Sequence, residues 1–297
     1  MTVDLPDIEL KRLATLIRIS IVKMIAQAKS GHIGGALGLA DIYAVLYQKI
    51  LNVRPFQPDW IDRDYVLVSN GHTCPVWYAT LAQQGFFPKT WLSRLRQLDS
   101  PLQGHPHFFP AYIDDTGTTQ TPVPGVENTS GSLGQGLSQA AGLALGLKKQ
   151  GRANQVYCLL SDAEHEEGQT WEAYMLARQY QLTNLTPIID FNQIQISGDT
   201  NQIMAVNPLA PKLRAFGWDV WEVDGHNYTE LMRVLTHLRT PPRHPTAILA
   251  KTIAGKGVSF MENNYLWHGT PPNQDQARSA MAELTAELEA LGEAPHV

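Results

Sequence analysis

Residues 156–193 read VYCLLSDAEHEEGQTWEAYMLARQYQLTNLTPIIDFNQ, and this stretch decides the fold. An apolar run from Val156 to Leu160 ends on Ser161 and Asp162, and after a helix-length segment a second run, Thr186 to Ile189, ends on Asp190. Runs this short, apolar throughout and stopped by polar residues, suit strands buried on both faces of a parallel sheet. The same rhythm continues outward. Asp64 to Ser69 closes on Asn70-Gly71-His72, Val220 to Val223 leads into Asp224-Gly225-His226, and Ala247 to Ala250 ends at Lys251-Thr252. The expectation is an α/β fold, a doubly wound parallel sheet flanked by helices, with ligands beyond the carboxyl ends of its strands.

Helical spacing brackets this core. Leu10, Leu13, Ile17, Ile21 and Met24 share one face of a helix expected from Ile8 to Lys29, which ends at Ser30-Gly31. A second helix is expected from Leu39 to about Ile50, and Ala277, Met281, Leu284, Leu288 and Leu291 stripe a third from Gln274 to Leu291. Between Ser100 and Val126 the chain is rich in Pro, Gly, His and Thr without a period, which reads as a long loop laid over the site. At 297 residues the chain suffices for one large domain, expected over residues 1–272, with a helix and tail over 273–297.

Composition narrows the class. A net charge of -5 with no run of one sign lacks the basic excess of a nucleic-acid surface. Cys74 and Cys158 stand far apart without CxxC spacing, so neither a zinc cluster nor a disulfide framework is expected, and a reducing setting fits. Met1 to Pro6 has no signal-peptide character and no stretch approaches the ~20 apolar residues of a membrane span, so a cytoplasmic protein is expected.

The chemistry begins with Asp162 and Asn192, thirty positions apart (192 − 162) at the ends of neighbouring strands. A carboxylate and an amide oxygen are hard ligands that could converge on a small divalent cation shared with a diphosphate, and backbone N–H groups of a helix starting after Asp162 would favour that anion. Taken alone, the pair is equally a pair of turn and cap residues. Gly131-Ser132-Leu133-Gly134-Gln135-Gly136 reads either as a phosphate cradle or as a closely packed helix entry, and its spacing matches neither GxGxxG nor a P-loop. A lone histidine is by default a satisfied structural residue.

The wider pattern resembles the transketolases. The matching blocks are Lys29-Ser30-Gly31-His32 with Gly34-Gly35-Ala36-Leu37-Gly38, Leu67-Val68-Ser69-Asn70-Gly71-His72, and Gly104-His105-Pro106. Pro124-Gly125-Val126-Glu127, the glycine-rich block from Ser130 to Gly136, Glu167-Gly168, Trp171-Glu172-Ala173, Ala250-Lys251-Thr252, Gly255-Lys256-Gly257 and Trp267-His268-Gly269 follow in the family's order. They cover the chain from about residue 10 to 275.

That resemblance implies a thiamine-diphosphate-binding domain. Asp162, Asn192 and the carbonyl of Ile194 would hold Mg²⁺, or Ca²⁺ or Mn²⁺ in its place, and His72, Gly131, Leu133, Asp162, Ala163, Glu164, Glu167, Asn192 and His268 would contact the cofactor. His32, His72, His105 and His268 would be the active-site histidines, groups whose pKa near neutrality suits hydrogen bonding to phosphate and proton exchange with a sugar hydroxyl. Leu133 would lie against the thiazolium ring, and Glu167 would join a carboxylate network between paired sites.

The chain departs from the family's Gly-Asp-Gly at Ser161 and Ala163, and His165 is unusual there; the Cβ of Ala163 requires negative φ. His226 is read as structural, and His107, His237, His244 and His296 carry no signal. Full-length members continue past the point where this chain stops, Val297, into a pyrimidine-binding domain that carries the activating glutamate and the phosphate-binding arginines. The implied protein is the amino-terminal subunit of a split transketolase, paired in a dimer of heterodimers with a partner of about 310 residues. It would transfer a two-carbon ketol unit between sugars or sugar phosphates. The alternatives are a related thiamine-dependent synthase, of the 1-deoxyxylulose-5-phosphate or dihydroxyacetone type, and a cofactor-poor regulatory partner of the same fold.

Overall fold

The computed structural model describes residues 5–113, 119–240 and 242–292. Its centre is a five-stranded parallel sheet of β1 (Tyr65–Val68), β2 (Val156–Ser161), β3 (Leu185–Phe191), β4 (Asp219–Asp224) and β5 (Thr246–Lys251), in the spatial order β1-β2-β3-β5-β4. Register is set by pairs such as Val68 with Leu159, Leu160 with Ile189, Ile189 with Leu249, and Ala250 with Val223. All five expected strands are present.

Both faces of the sheet are covered, which is why its strands read as continuous apolar runs. On one face, Tyr157, Leu159, Ile188 and Ile248 pack with α1 (Leu5–Ala28), α2 (Gly34–Gly38), α3 (Ala40–Val45) and α4 (Cys74–Gln83). On the other, Val156, Cys158, Leu160 and Ile189 meet α5 (Gln135–Lys149), α6 (Gly168–Gln179) and α7 (Leu209–Ala215). Two further helices, α8 (Tyr228–Leu238) and α9 (Gln274–Ala290), return to the first face, where Ala280 and Leu284 are fully buried. The connection leaving β3 runs to the second face and the one leaving β5 to the first. A crevice therefore opens between their carboxyl ends, the switch point at which such sheets bind ligands.

The helices depart from expectation at their ends. α1 stops where Lys29 turns to φ +51 and Gly31 to φ +137. The next helix starts at Gly34 instead of Leu39, because its glycines let the backbone come close; a Cβ on Gly38 would lie 2.9 Å from the Ile253 carbonyl oxygen. It finishes in a π turn over Leu46–Ile50. After Asp162 comes a 3-10 turn, Ala163–Glu166, and α6 begins only at Gly168. α9 opens with a capping box between Asn273 and Gln276, as the carboxy-terminal stripe suggests. The long loop carries a short hairpin, Tyr112–Ile113 with Thr119–Gln120. Residues 1–4, His296 and the rest of 293–297 lie outside the described residues.

One buried polar cluster fastens the first face. Arg18 and Asp41 are 3 % and 2 % exposed and meet through two hydrogen bonds of 3.2 and 2.6 Å. Asp41 also accepts from Nδ1 of His226 at 2.6 Å and from the Tyr228 hydroxyl, while Nε2 of His226 accepts from the backbone N–H of Ile253. His226 is structural, linking α3 to the start of α8 and to the loop after β5. Burial alone would raise the pKa of Asp41, but Arg18 beside it holds the carboxyl well below the usual range.

Replacing Asp41 by Asn leaves Arg18 buried without its counter-charge, and urea unfolding at pH 7 should show a loss of about 3–5 kcal/mol. Because the folded pKa is depressed, the ionic contribution is full above the unfolded value of about 3.9 and fades as pH falls toward the folded one. The difference between wild type and Asp41→Asn should therefore shrink in acid; a constant difference down to about pH 2 would remove the ion pair as its source.

Candidate active site

The carboxyl ends of β1, β2, β3 and β5 bring the expected residues to one edge. β1 runs into Ser69 and Asn70, after which a 3-10 turn over Gly71–Thr73 presents His72. His32 follows the end of α1, His105 lies on the long loop, and His268 follows the 3-10 turn Tyr265–Trp267 beyond β5. His32 is central. Its ring centroid lies 5.1 Å from that of His72, 5.6 Å from His268 and 6.3 Å from His105, and His72 and His268 stack at 5.2 Å.

All four imidazoles titrate below their ordinary range, chiefly because burial penalises the charged form. His32 is pushed down to about 4, with His268, Arg96 and His105 adding repulsion. At neutral pH the quartet is uncharged and offers both donor and acceptor nitrogens. Among the described residues, Nδ1 of His32 is buried without a partner, as are both side-chain polar atoms of Asn70. Unpaired buried groups are what a polar ligand would satisfy.

A carboxylate centre occupies the carboxyl ends of β2 and β3 at the same edge of the sheet. Asp162 is 0 % exposed; one oxygen accepts from the backbone N–H of Ala163 at 2.8 Å and the other from that of Gln193 at 2.7 Å. This second bond carries the Asp162 turn to the loop of Asn192, so residues thirty positions apart (192 − 162) meet. Asn192 Oδ1 accepts from the N–H of Ile194 at 2.8 Å, and its amide nitrogen donates to Asp190 at 2.9 Å. Asp190 is buried and also accepts from the Thr252 hydroxyl, which links the carboxyl ends of β3 and β5.

Burial, with Asp190 nearby, pushes the Asp162 carboxyl up to about 8. Two neighbouring buried carboxyls, beside amide and carbonyl oxygens, form a hard donor set that suits a small divalent ion. The residues present therefore fit the metal that the motif implies. Among the described residues no group of three or more His, Cys, Asp or Glu is placed to hold a metal ion.

Ala163 lies in the 3-10 turn and is not among the residues with positive φ, so its Cβ is accommodated. Gly131 lies under the ring of His105, where a Cβ would come within 3.5 Å. Leu133 is half-buried and its carbonyl accepts from Gln169. Glu167 is exposed at the start of α6. The glycine-rich block is a helix entry, since Gly134 takes φ +79 and a Cβ on Gly136 would lie 2.5 Å from Ser69.

Glu164, expected to contact the cofactor, lies in the 3-10 turn after Asp162. Its carboxylate is wholly buried and accepts from the Ser69 hydroxyl, from the N–H of Gly134 at 2.7 Å and from that of Ser161 at 2.8 Å. Those oxygens serve the chain's own donors. His165 is buried too, its Nδ1 against the carbonyls of Ser161 and Asp162 and its Nε2 against the Tyr174 hydroxyl. Asp190, Thr252 and Arg96 were not singled out from the sequence. Asp190 ends a recognised strand, and that position was the available signal.

The family model described as "Transketolase, thiamine diphosphate binding domain" matches residues 9–291. The chain is 36% identical over 281 residues to a subunit of the 6-deoxy-6-sulfo-D-fructose transketolase of a Clostridium species, covering 95% of this chain and 98% of the relative. It is 35% identical over 271 residues to a subunit of the apulose-4-phosphate transketolase of Phocaeicola vulgatus, covering 91% and 92%. The crystal structure of transketolase from Campylobacter jejuni superposes with a TM-score of 0.83 at 29% identity, over 99% of this chain and 46% of that one. The chain thus spans about half of a single-chain transketolase. With the parallel sheet, the site at its carboxyl edge and the match from residue 9 to 291, the chain belongs to the transketolase family, as its thiamine-diphosphate-binding domain.

Proposed function

We propose that this protein is the diphosphate- and Mg²⁺-binding subunit of a two-chain transketolase, moving a two-carbon ketol unit from a ketose or its phosphate to an aldose or its phosphate. The observation that carries the reading is the gathering of His32, His72, His105 and His268 from four separate segments into one cluster of rings. Relatives named as transketolase subunits, aligned over nearly their whole length, support the division into two chains. The partner contributes the pyrimidine-binding domain, the pair assembles as a dimer of heterodimers, and both work in the cytoplasm. The binding domain covers residues 1–272, and the helix and tail of 273–297 extend it.

Asp162, Asn192 and the Ile194 carbonyl would hold the cation, and the turn after Asp162 would offer backbone N–H groups to the diphosphate. Bound thiamine diphosphate supplies the electron sink for carbon–carbon cleavage. The neutral imidazoles orient the donor's hydroxyls: one nitrogen accepts a hydroxyl proton while another ring donates. His105, the most open of the four, serves the sugar, and His72, held at the end of β1, serves the diphosphate. Gly131 and Leu133 line the cofactor's side, and Glu167 reaches across the assembly to the paired site.

Asp162→Ala and Asn192→Ala should each abolish Mg²⁺-dependent retention of thiamine diphosphate while the far-ultraviolet spectrum stays unchanged, as measured by calorimetry on the two-chain complex. Wild-type affinity in both variants would refute the metal assignment. His105→Ala should cut turnover by about a hundredfold with little change in cofactor affinity, whereas His72→Ala should weaken both; equal affinity losses would erase the distinction.

Ketol transfer, assayed with a ketose donor and an aldose acceptor, should be absent for this chain alone and appear when the partner is added. Light scattering should then report association, through an interface burying more than about 2,000 Å², and Tm should rise by mass action. Robust turnover by the single chain would end the two-chain reading.

A further inference from the structure

The four histidines arrive on separate segments, and two of them, His32 and His105, are carried by loops with no strand beneath them. Between those loops lies a half-buried arginine outside the family blocks described above. Nη1 of Arg96 donates to the Ser30 hydroxyl at 2.9 Å, two residues before His32, and Nη2 donates to the Gly104 carbonyl at 3.1 Å, one residue before His105. We propose that Arg96 is a positioning residue, whose planar guanidinium bridges the Ser30 and Gly104 loops and so fixes the separation and approach of His32 and His105.

Three independent observations support the bridge. Gly104 lacks the atom that would obstruct it: a Cβ there would lie 2.7 Å from Arg96 Nε and 2.8 Å from Cζ. Arg96 itself is held in the left-handed region, at φ +58, with its backbone N–H donating to the Leu102 carbonyl at 2.9 Å. A non-glycine residue keeps such a conformation only where the surroundings determine it. The segment before His105 is gripped from its other side as well, by the Cys74 thiol on the Gly104 carbonyl at 3.3 Å and the Tyr78 hydroxyl on the Gln103 carbonyl at 3.1 Å. Among the described residues Nε of Arg96 is buried without a partner, so the side chain spends one donor to keep two in place.

A fixed positive charge at this position also acts on the rings. Burial is the main cause of the low pKa of His32 and of His105, and Arg96 adds to it in both. His32 is faced in addition by His268 and His105, and Arg96 bears likewise on the thiol of Cys74 and the hydroxyl of Tyr78. The pKa values of His72 and His268 are lowered by burial, and for His72 by the other histidines, without Arg96. The Arg96 charge thus adds to burial in disfavouring the protonated form of the two loop histidines, and lysine, a point charge without the fork, could supply the charge but not the bridge.

The proposal builds on the histidine quartet as the active site, yet it can be tested on the full chain without partner or cofactor. Histidine C2–H resonances give the four pKa values, and backbone hydrogen exchange reports the two loops. In Arg96→Met, His32 and His105 should titrate higher than in wild type while His72 and His268 keep their values, and the amides of His32 and His105 should exchange at least about tenfold faster. In Arg96→Lys the low pKa values should persist while exchange still accelerates.

Unchanged pKa values in Arg96→Met, or a uniform shift of all four histidines with faster exchange throughout the sheet, would overturn the proposal. Should Arg96→Met not fold, wild-type protection of both loops in Arg96→Lys would overturn it equally. Failure of the two-chain enzyme to bind thiamine diphosphate would instead remove the functional reading and leave the bridge standing.

Discussion

A carboxylate with no access to water, Glu164, ties three distant stretches of the chain together. Ser69 at the end of β1, Gly134 at the start of α5 and Ser161 at the end of β2 all donate to its two oxygens. Each donor belongs to a segment that also presents part of the site: His72 follows Ser69, Gly131 and Leu133 precede Gly134, and Asp162 follows Ser161. A buried carboxylate whose lone pairs are met by two backbone N–H groups and a hydroxyl forms a cooperative network. Removing any one donor leaves a costly deficit in the others' surroundings. The site's precision therefore depends on a residue that presents no side chain to the crevice.

The crevice itself is satisfied only in part. Asp162 and Asp190 repel one another there, and among the described residues Nδ1 of His32 and the amide of Asn70 have no partners. Fully paired groups such as Glu164 and Asp41 act as fasteners, and the unpaired ones mark where binding energy is to be recovered. That partition also separates His226, both of whose ring nitrogens are engaged, from His32. The same residue type is structural in one place and available in the other, and burial alone does not tell them apart.

Much of this was legible in the sequence. The strands were, because five apolar runs bounded by polar residues admit few other folds, and their polar ends located the site's edge. The separation of Asp162 and Asn192 became informative only when set beside the histidine blocks. What escaped was whatever depends on direction. Nothing in the letters says that the Glu164 side chain turns inward while its neighbour Glu167 turns outward, since both lie in one acidic run. Nor could spacing find Arg96, whose partners are 66 and 8 residues away and bond through a hydroxyl and a carbonyl that carry no motif. The helix expected from Leu39 starts earlier, at Gly34, where the glycines allow close approach to Ile253 and Trp267 despite their low helix propensity.

The order of the strands bears on how the chain is made. β5 occupies the slot between β3 and β4, so during synthesis the first four strands leave the ribosome while the slot remains empty. Until residues 246–251 emerge, the edges of β3 and β4 have no neighbour, and unpaired parallel edges invite pairing with another nascent chain. Thr252, whose hydroxyl donates to Asp190, comes one residue later, and the loop bearing His268 later still. The nascent protein thus completes its scaffold and its pocket in nearly the same moment, and an interruption of translation before that point would release a chain with neither.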